Sequence, residues 1–208
     1  MKKKLLSLVL AGAMVASTSV SAFATENKEV EIQPNSEKEV EVQVRGDIES
    51  STGDVVAGTI AVTVPTNASF RVDSNGTLTS ATMSIVNKGE SKISVIASSF
   101  KDTTGTQGIN LVKEESNLSE SDRSKVYLKL TGGDKDIILT SEENGKMYDA
   151  TDKTEITTQK NFVIKNINAK EKLDLQLQGR GTAYSSEHNS EAAVNDNFKL
   201  VLKIKQER

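Results

Sequence analysis

Residues 81–100, ATMSIVNKGESKISVIASSF, decide the fold class, because apolar and polar side chains alternate on both sides of a short polar segment. An apolar–polar period of two places one set of side chains on one face of an extended strand. The polar segment NKGE (87–90) contains the residue types that favour turns. We therefore predict a β-hairpin with its arms at Ala81–Val86 and Lys92–Phe100.

The same period continues in both directions along the chain. In GTIAVTVP (58–65) the apolar residues share a face, and the run stops at Pro65, which cannot donate to a strand ladder. FKLVLKIK (198–205) repeats the alternation near the end of the sequence. About ten short strands with turns between them, and little helix, predict an all-β antiparallel sandwich of immunoglobulin-like or jelly-roll style. The expected core contains Val62, Val64, Ile85, Ile93, Val95, Leu128, Leu175, Leu200 and Leu202.

The first 24 residues, MKKKLLSLVLAGAMVASTSVSAFA, differ in character from the rest. Their apolar run, Leu5–Ala16, is short for a membrane span and follows three lysines. Ala22-Phe23-Ala24 matches the small-x-small pattern of a cleavage site. We predict a secretory signal peptide at 1–24 and a single β-sandwich domain at 25–208, secreted and either extracellular or non-covalently attached to the cell surface.

Composition narrows the possible partners. The expected mature chain has 23 basic and 29 acidic residues, a net charge of −6, which disfavours nucleic acid or an anionic membrane as a partner. The sequence contains no cysteine, so disulfides, thiolate metal sites and a cysteine-linked lipid anchor are excluded. Together with the simple cleavage site, this composition suits export from a Gram-positive bacterium.

Motif inspection predicts no enzyme, no cofactor and no metal. His188, the only histidine, lies in YSSEHNSE without a nucleophile motif around it, which favours a solvated loop residue. DSNGTL (73–78) fails the EF-hand spacing because its glycine falls at position 4, and an Asn-Gly turn explains the same residues. TGGDKD (131–136), with Glu142 and Glu143 nearby, leaves a weak extracellular calcium site as an alternative.

Aromatic residues are scarce, and this bears on sugar binding. The expected mature chain has no tryptophan and seven aromatic residues in all. Three of them fall on predicted core faces, namely Phe70, Phe162 and Phe198. Three others are the candidates for stacking on a sugar ring, namely Tyr127, Tyr148 and Tyr184. This small supply favours a structural role over a polysaccharide-binding one.

The run GTIAVTVPTNASFRVDSNGTLTSATMSIVNKGESKISVIASS (58–99), together with the final FKLVLKIK, resembles secreted β-sandwich surface proteins of Firmicutes. This class includes WxL-type wall proteins and TasA-like matrix fibre subunits. The resemblance implies a β-sandwich at the cell surface or in the extracellular matrix, and it implies no site residues. The Trp-x-Leu signature of the wall proteins is absent because the chain has no tryptophan.

Two alternating runs open the expected mature chain, in NKEVEIQPNSEKEVEVQVRGDIE (27–49). We expect Val40–Val44 to pair with the last strand of its own chain, where the two strands carry opposite charges. The earlier run, residues 25–33, would leave an exposed edge, and exposed edges accept strands from other chains. We therefore predict that this run can leave its subunit and add to the sheet of a neighbour. The candidate assembly residues are Val30, Ile32, Val40, Val42 and Val44.

These features together predict a secreted, non-enzymatic structural protein of the cell surface or extracellular matrix that can self-assemble through its N-terminal strand. The expected partners are further copies of the chain or components of the cell surface. The alternative is an extracellular binding module for wall polysaccharide or another surface ligand.

Overall fold

The structure, a computed structural model, describes residues 27–32, 37–44, 60–103, 108–119, 122, 124–183 and 196–207. These residues form fourteen strands and two short 3₁₀ turns, Glu115–Asn117 and Glu142–Asn144. The strands are β1 (Asn27–Ile32), β2 (Glu37–Val44), β3 (Ile60–Pro65), β4 (Phe70–Val72), β5 (Leu78–Ser80), β6 (Thr82–Asn87), β7 (Ile93–Asp102), β8 (Asn110–Leu111), β9 (Lys125–Thr131), β10 (Ile137–Thr140), β11 (Lys146–Asp149), β12 (Phe162–Ile167), β13 (Lys172–Gly181) and β14 (Phe198–Gln206).

The all-β prediction is confirmed, although the described residues contain more strands than the expected ten. The additional strands are short, two to four residues each, and they occupy stretches in which turn residues mask the alternation. Strands of this length show too little of a period for their number to be counted from the sequence.

The strands form two main sheets and one small hairpin. The first sheet has the order β1-β3-β6-β13-β9-β10-β11, with β8 also paired to β9, and the second has the order β12-β7-β14-β2. Every registered pair is antiparallel except β8 with β9. β4 and β5 form the hairpin, which contains an Asn-Gly turn. The side chain of Asp73 closes this turn, because its Oδ1 accepts the N–H groups of Asn75 at 2.9 Å and of Thr77 at 2.8 Å. Gly76 there has a φ of +77°, which a glycine adopts without strain.

The core is built from the inward residues of both sheets. Valine, isoleucine and leucine alternate inward along β6, β13 and β9 of the first sheet and along β7 and β14 of the second. All nine core residues expected from the sequence are buried, namely Val62, Val64, Ile85, Ile93, Val95, Leu128, Leu175, Leu200 and Leu202. The period of two therefore identified the buried face on the strands that carry these nine residues.

The predicted hairpin at residues 81–100 is wrong, because its two arms lie in different sheets. β6 pairs with β3 and β13, whereas β7 pairs with β12 and β14, so the segment between them crosses from one sheet to the other. Asn87 fixes this crossing: its buried amide donates to the carbonyl of Ser91 at 2.8 Å and to that of Asn168 at 3.0 Å. The side-chain carbonyl oxygen of Asn87, Oδ1, accepts the N–H of Gly89 at 3.1 Å. A buried amide satisfied in this way holds the crossing segment against the β12–β13 connection.

Candidate functional site: the N-terminal edge strands

The first of the two N-terminal strands, β1, forms one end of the first sheet. It pairs antiparallel with β3 in six registered positions, which place Val30 opposite Val62 and Ile32 opposite Ile60. On its other side β3 pairs with β6. Within the described chain this pairing has two registered positions, Val62 opposite Asn87 and Thr63 opposite Val86. Most of the ladder that β3 forms is therefore with β1.

The second N-terminal strand, β2, forms one end of the second sheet. It pairs antiparallel with β14, and this is the pairing with the last strand that the sequence predicts for Val40–Val44. The register also places Glu39 opposite Lys203 and Glu37 opposite Lys205, so residues of opposite charge oppose each other across the ladder. The remaining partners are Val40 opposite Leu202, Val42 opposite Leu200 and Val44 opposite Phe198.

The chain itself covers part of the remaining edge of the first sheet, at β11. The segment after β11 turns back along it, so that the N–H of Ile156 donates to Met147 O at 2.8 Å. The N–H of Asp149 likewise donates to Thr154 O at 2.9 Å. These bonds use groups on the outer side of β11 that an added strand would need.

The remaining edge of the second sheet, at β12, is interrupted in two ways. The register with β7 shifts between Val163 and Lys165, so the strand is bulged there. The N–H of Asp134 donates to Ile164 O at 2.9 Å, which occupies a carbonyl of this strand. A bulged and partly occupied edge is a poor template for another chain.

Two of the three tyrosines that sequence analysis offers for sugar stacking are buried. Tyr127 and Tyr148 are each 6% exposed and pack in a second small apolar cluster with Val112 and Ile138. Burial and a hydrogen bond to Glu142 raise the pKa of Tyr148 to about 12. Tyr184 lies outside the described residues.

The hydroxyl and one ring face of Tyr148 contact neighbouring side chains, and the residue as a whole is buried. Its hydroxyl donates to Glu142 Oε2 at 2.6 Å. Lys113 Nζ lies 3.8 Å from the centroid of its ring, in cation–π geometry.

The phenylalanines belong to the main core, as predicted. Phe198 is buried and stacks on Phe100, with ring centroids 5.7 Å apart, and on Phe70, at 6.2 Å. Phe70 and Phe162 are half-buried and pack against the same core. These rings stabilise the sandwich and present no exposed stacking platform.

The acidic turns use their carboxylates locally. Asp134 forms an ion pair with Lys165, and Glu143 forms one with Lys146 at 2.7 Å. Within the described residues, no three side chains of the types that bind metals lie together. His188 lies outside the described residues.

No helix within the described residues is both long and apolar enough to cross a membrane. The predicted signal peptide at 1–24 lies outside the described part of the chain. Comparison with known proteins gives no match, since no protein-family model, no curated protein and no solved structure is similar to the chain.

Sequence analysis missed the partner of β1. The alternation in residues 27–32 indicates a strand, but the partner, β3, begins at Ile60, far along the chain. A ladder between distant segments leaves no local pattern that would identify it. The one sequence signal at this site is Pro65, which correctly ends β3.

Proposed function

We propose that this chain is a secreted, non-enzymatic structural protein of a Gram-positive cell surface or extracellular matrix, and that it self-associates through its N-terminal strand. The observation that carries the proposal is the contrast between sheet edges. The first fourteen described positions of the fold, β1 and β2, supply one end strand to each sheet. The opposite edges are bulged or hydrogen-bonded by the chain itself.

Of the two N-terminal strands, β1 is the better candidate for exchange. Both strands end a sheet and pair with one neighbour, but β1 lies next to the start of the chain expected after signal-peptide cleavage, whereas β2 is joined to β1 before it and to β3 after it. A strand that is bound on one side, at a chain terminus, can detach without disturbing a neighbour beyond it. Donation from each copy to the next does not close, so it produces fibres.

The composition and the core support a structural role over the polysaccharide-binding alternative. Sugar-binding faces present exposed aromatic rings, and Tyr127 and Tyr148 are buried. The phenylalanines are likewise used in packing. No specific feature of the described surface favours a sugar, so the alternative remains an outcome of the test rather than a second proposal.

The test compares the mature chain, beginning at Thr25, with a chain beginning at Pro34, by size-exclusion chromatography with light scattering over a range of concentrations. We expect the longer chain to form large species as concentration rises and filaments in negative-stain images. The shorter chain should keep its β circular dichroism spectrum but remain monomeric, because it has lost the donated strand.

Two substitutions at one position provide a matched control. Val30→Pro removes a backbone donor from β1 and should abolish assembly, whereas Val30→Thr keeps a good strand former and should preserve it. The proposal is wrong if the full and shortened chains assemble equally. If the full chain stays monomeric and is retained on cell wall or insoluble polysaccharide, the binding-module alternative is correct.

A further inference from the structure

We propose that the outer edge of β3 is the acceptor in this assembly, and that its occupant is β1 from a second copy of the chain, bound in the register that the chain's own β1 adopts. This inference rests on the proposed function, because it names the surface that receives the donated strand. It also makes a separate claim, since a donated strand could instead bind any other edge of either sheet.

The first argument is that β3 depends on its outer neighbour for hydrogen bonds. β1 opposes all six residues of β3, whereas β6 is registered with only two of them in the described chain. One further bond on the inner side joins the N–H of Lys88 to Ala61 O at 2.8 Å. Without β1, most of one side of β3 would present unpaired backbone groups, which is the property that makes an edge accept another strand.

The second argument is that apolar packing holds β3 in the core in addition to its hydrogen bonds to β1. The side chains of Val62 and Val64 are 0% and 1% exposed and belong to the main core. Their burial fixes the strand by apolar contacts that do not involve the ladder with β1. An edge that is held rigid while it lacks a partner is a preformed binding site.

The third argument concerns the length and identity of the occupant. Pro65, which has no N–H group, ends β3 and lies opposite Asn27, so the acceptor accommodates a strand of six residues. β1 is six residues long and already satisfies this edge within one subunit. A second copy therefore brings a strand that reproduces every registered pair, Lys28 opposite Val64 and Glu31 opposite Ala61 among them.

The competition between the two occupants depends on concentration. Four residues, 33–36, join β1 to β2, and four extended residues span at most about 14 Å. So short a tether gives the chain's own β1 an effective concentration on the order of millimolar at β3. Exchange between copies should therefore increase steeply at high protein concentration, and the exchanging subunits must lie directly beside each other.

The absence of cysteine allows a direct test, because any disulfide must come from introduced residues. Glu29 lies opposite Thr63, and the hydroxyl of Thr63 has no hydrogen-bond partner, so its replacement removes no bond. Cysteines at directly opposed positions of an antiparallel pair lie within the usual Cα separation of a disulfide. We would mix Glu29→Cys chains with tagged Thr63→Cys chains, let them assemble, oxidise them and identify the linked chains by intact mass.

We expect a mixed disulfide between the two variants in the assembled fraction. The matched control mixes Glu39→Cys with Lys203→Cys, which are opposed in the β2–β14 ladder and should form no mixed disulfide. The double variant Glu29→Cys/Thr63→Cys, oxidised at low concentration, should lose assembly because its own β1 is locked to β3, and a reductant should restore it.

The outcomes separate this inference from the proposed function. Assembly without the mixed disulfide, or assembly of the locked double variant, means that strands add elsewhere, and the acceptor assignment is overturned. A mixed disulfide found only in a closed dimer supports the acceptor assignment and overturns fibre formation. As a second measurement, a peptide of residues 25–33 should raise the melting temperature of the chain beginning at Pro34, as a ligand of the folded state does, and the absence of any shift counts against the acceptor.

Discussion

The two N-terminal strands share one sequence pattern, valine or isoleucine alternating with glutamate, yet they join partners that are anchored differently. β2 lies on β14, which is itself paired with β7 along its whole length. β1 lies on β3, which shares two registered positions with β6 in the described chain. The pattern of a strand therefore predicts that it will pair, whereas the hydrogen bonds on the other side of its partner differ between the two: we expect β3, whose ladder lies mostly with β1, to be the partner that accepts a strand from another copy.

The largest expected effect comes from shortening a core side chain of β14, the strand that pairs with β2. Leu200 is fully buried on β14, opposite Val42 of β2, and Leu200→Ala should lower the free energy of unfolding by about 2–5 kcal/mol. Urea denaturation of the chain beginning at Pro34 measures this without interference from assembly. Lys205→Ala, at an exposed position of the same strand opposite Glu37, is the control and should change stability by less than about 1 kcal/mol. Equal effects of the two substitutions would show that the core packing of β14 does not stabilise the sheet that β2 joins.

A smaller, pH-dependent effect on stability is expected at Asp196, just before β14. Asp196 precedes β14; its Oδ1 accepts the N–H of Asn197 at 2.6 Å, and its Oδ2 is buried without a partner. Burial is the main cause of a raised pKa at Asp196; the charge of Asp102 adds to it, and hydrogen bonds from the backbone of Asn197 and Ile109 oppose it. Because the folded pKa exceeds the unfolded one, the ionised carboxylate costs stability at neutral pH, and this cost disappears as the pH falls through the folded pKa.

Asp196→Asn should therefore raise the melting temperature at neutral pH, with a gain that shrinks in acid. The control has the opposite sign, because hydrogen bonds from Thr154 lower the pKa of Asp152. Asp152→Asn should lower the melting temperature at neutral pH, and that loss should also fade in acid. If Asp196→Asn destabilises the protein at neutral pH, the hydrogen bonds from Asn197 and Ile109 outweigh the cost of burying the ionised carboxylate.

The buried faces could be predicted from sequence because burial on a strand is a local property with a period of two. Val62, Ile85 and Leu200 illustrate this, and each is 0% exposed. Sheet membership could not be predicted, because a hairpin and a crossing between sheets have the same alternation on both sides. What distinguishes them here is the bond from Asn87 to Asn168, 81 positions along the chain. The same reason hid β3 as the partner of β1, so the acceptor half of the candidate site emerged only from the structure.

The smallest expected effect concerns the charges along the anchored ladder. Glu39 lies opposite Lys203, and an opposite-charge pair in such positions contributes about 0.2–1 kcal/mol. Lys203→Glu should therefore destabilise the fold slightly by opposing two like charges, and Glu39→Lys should do the same. The double reversal, Glu39→Lys/Lys203→Glu, should recover most of the loss, and added salt should reduce all three differences. Urea denaturation of the four chains forms a double-mutant cycle, in which a coupling energy of zero would mean that these charges do not interact. Neither single reversal should change assembly, because both weaken the β2–β14 ladder and leave the β1–β3 ladder, which is proposed to exchange, unchanged. Loss of assembly in Lys203→Glu would instead indicate that subunits share β2 and not β1.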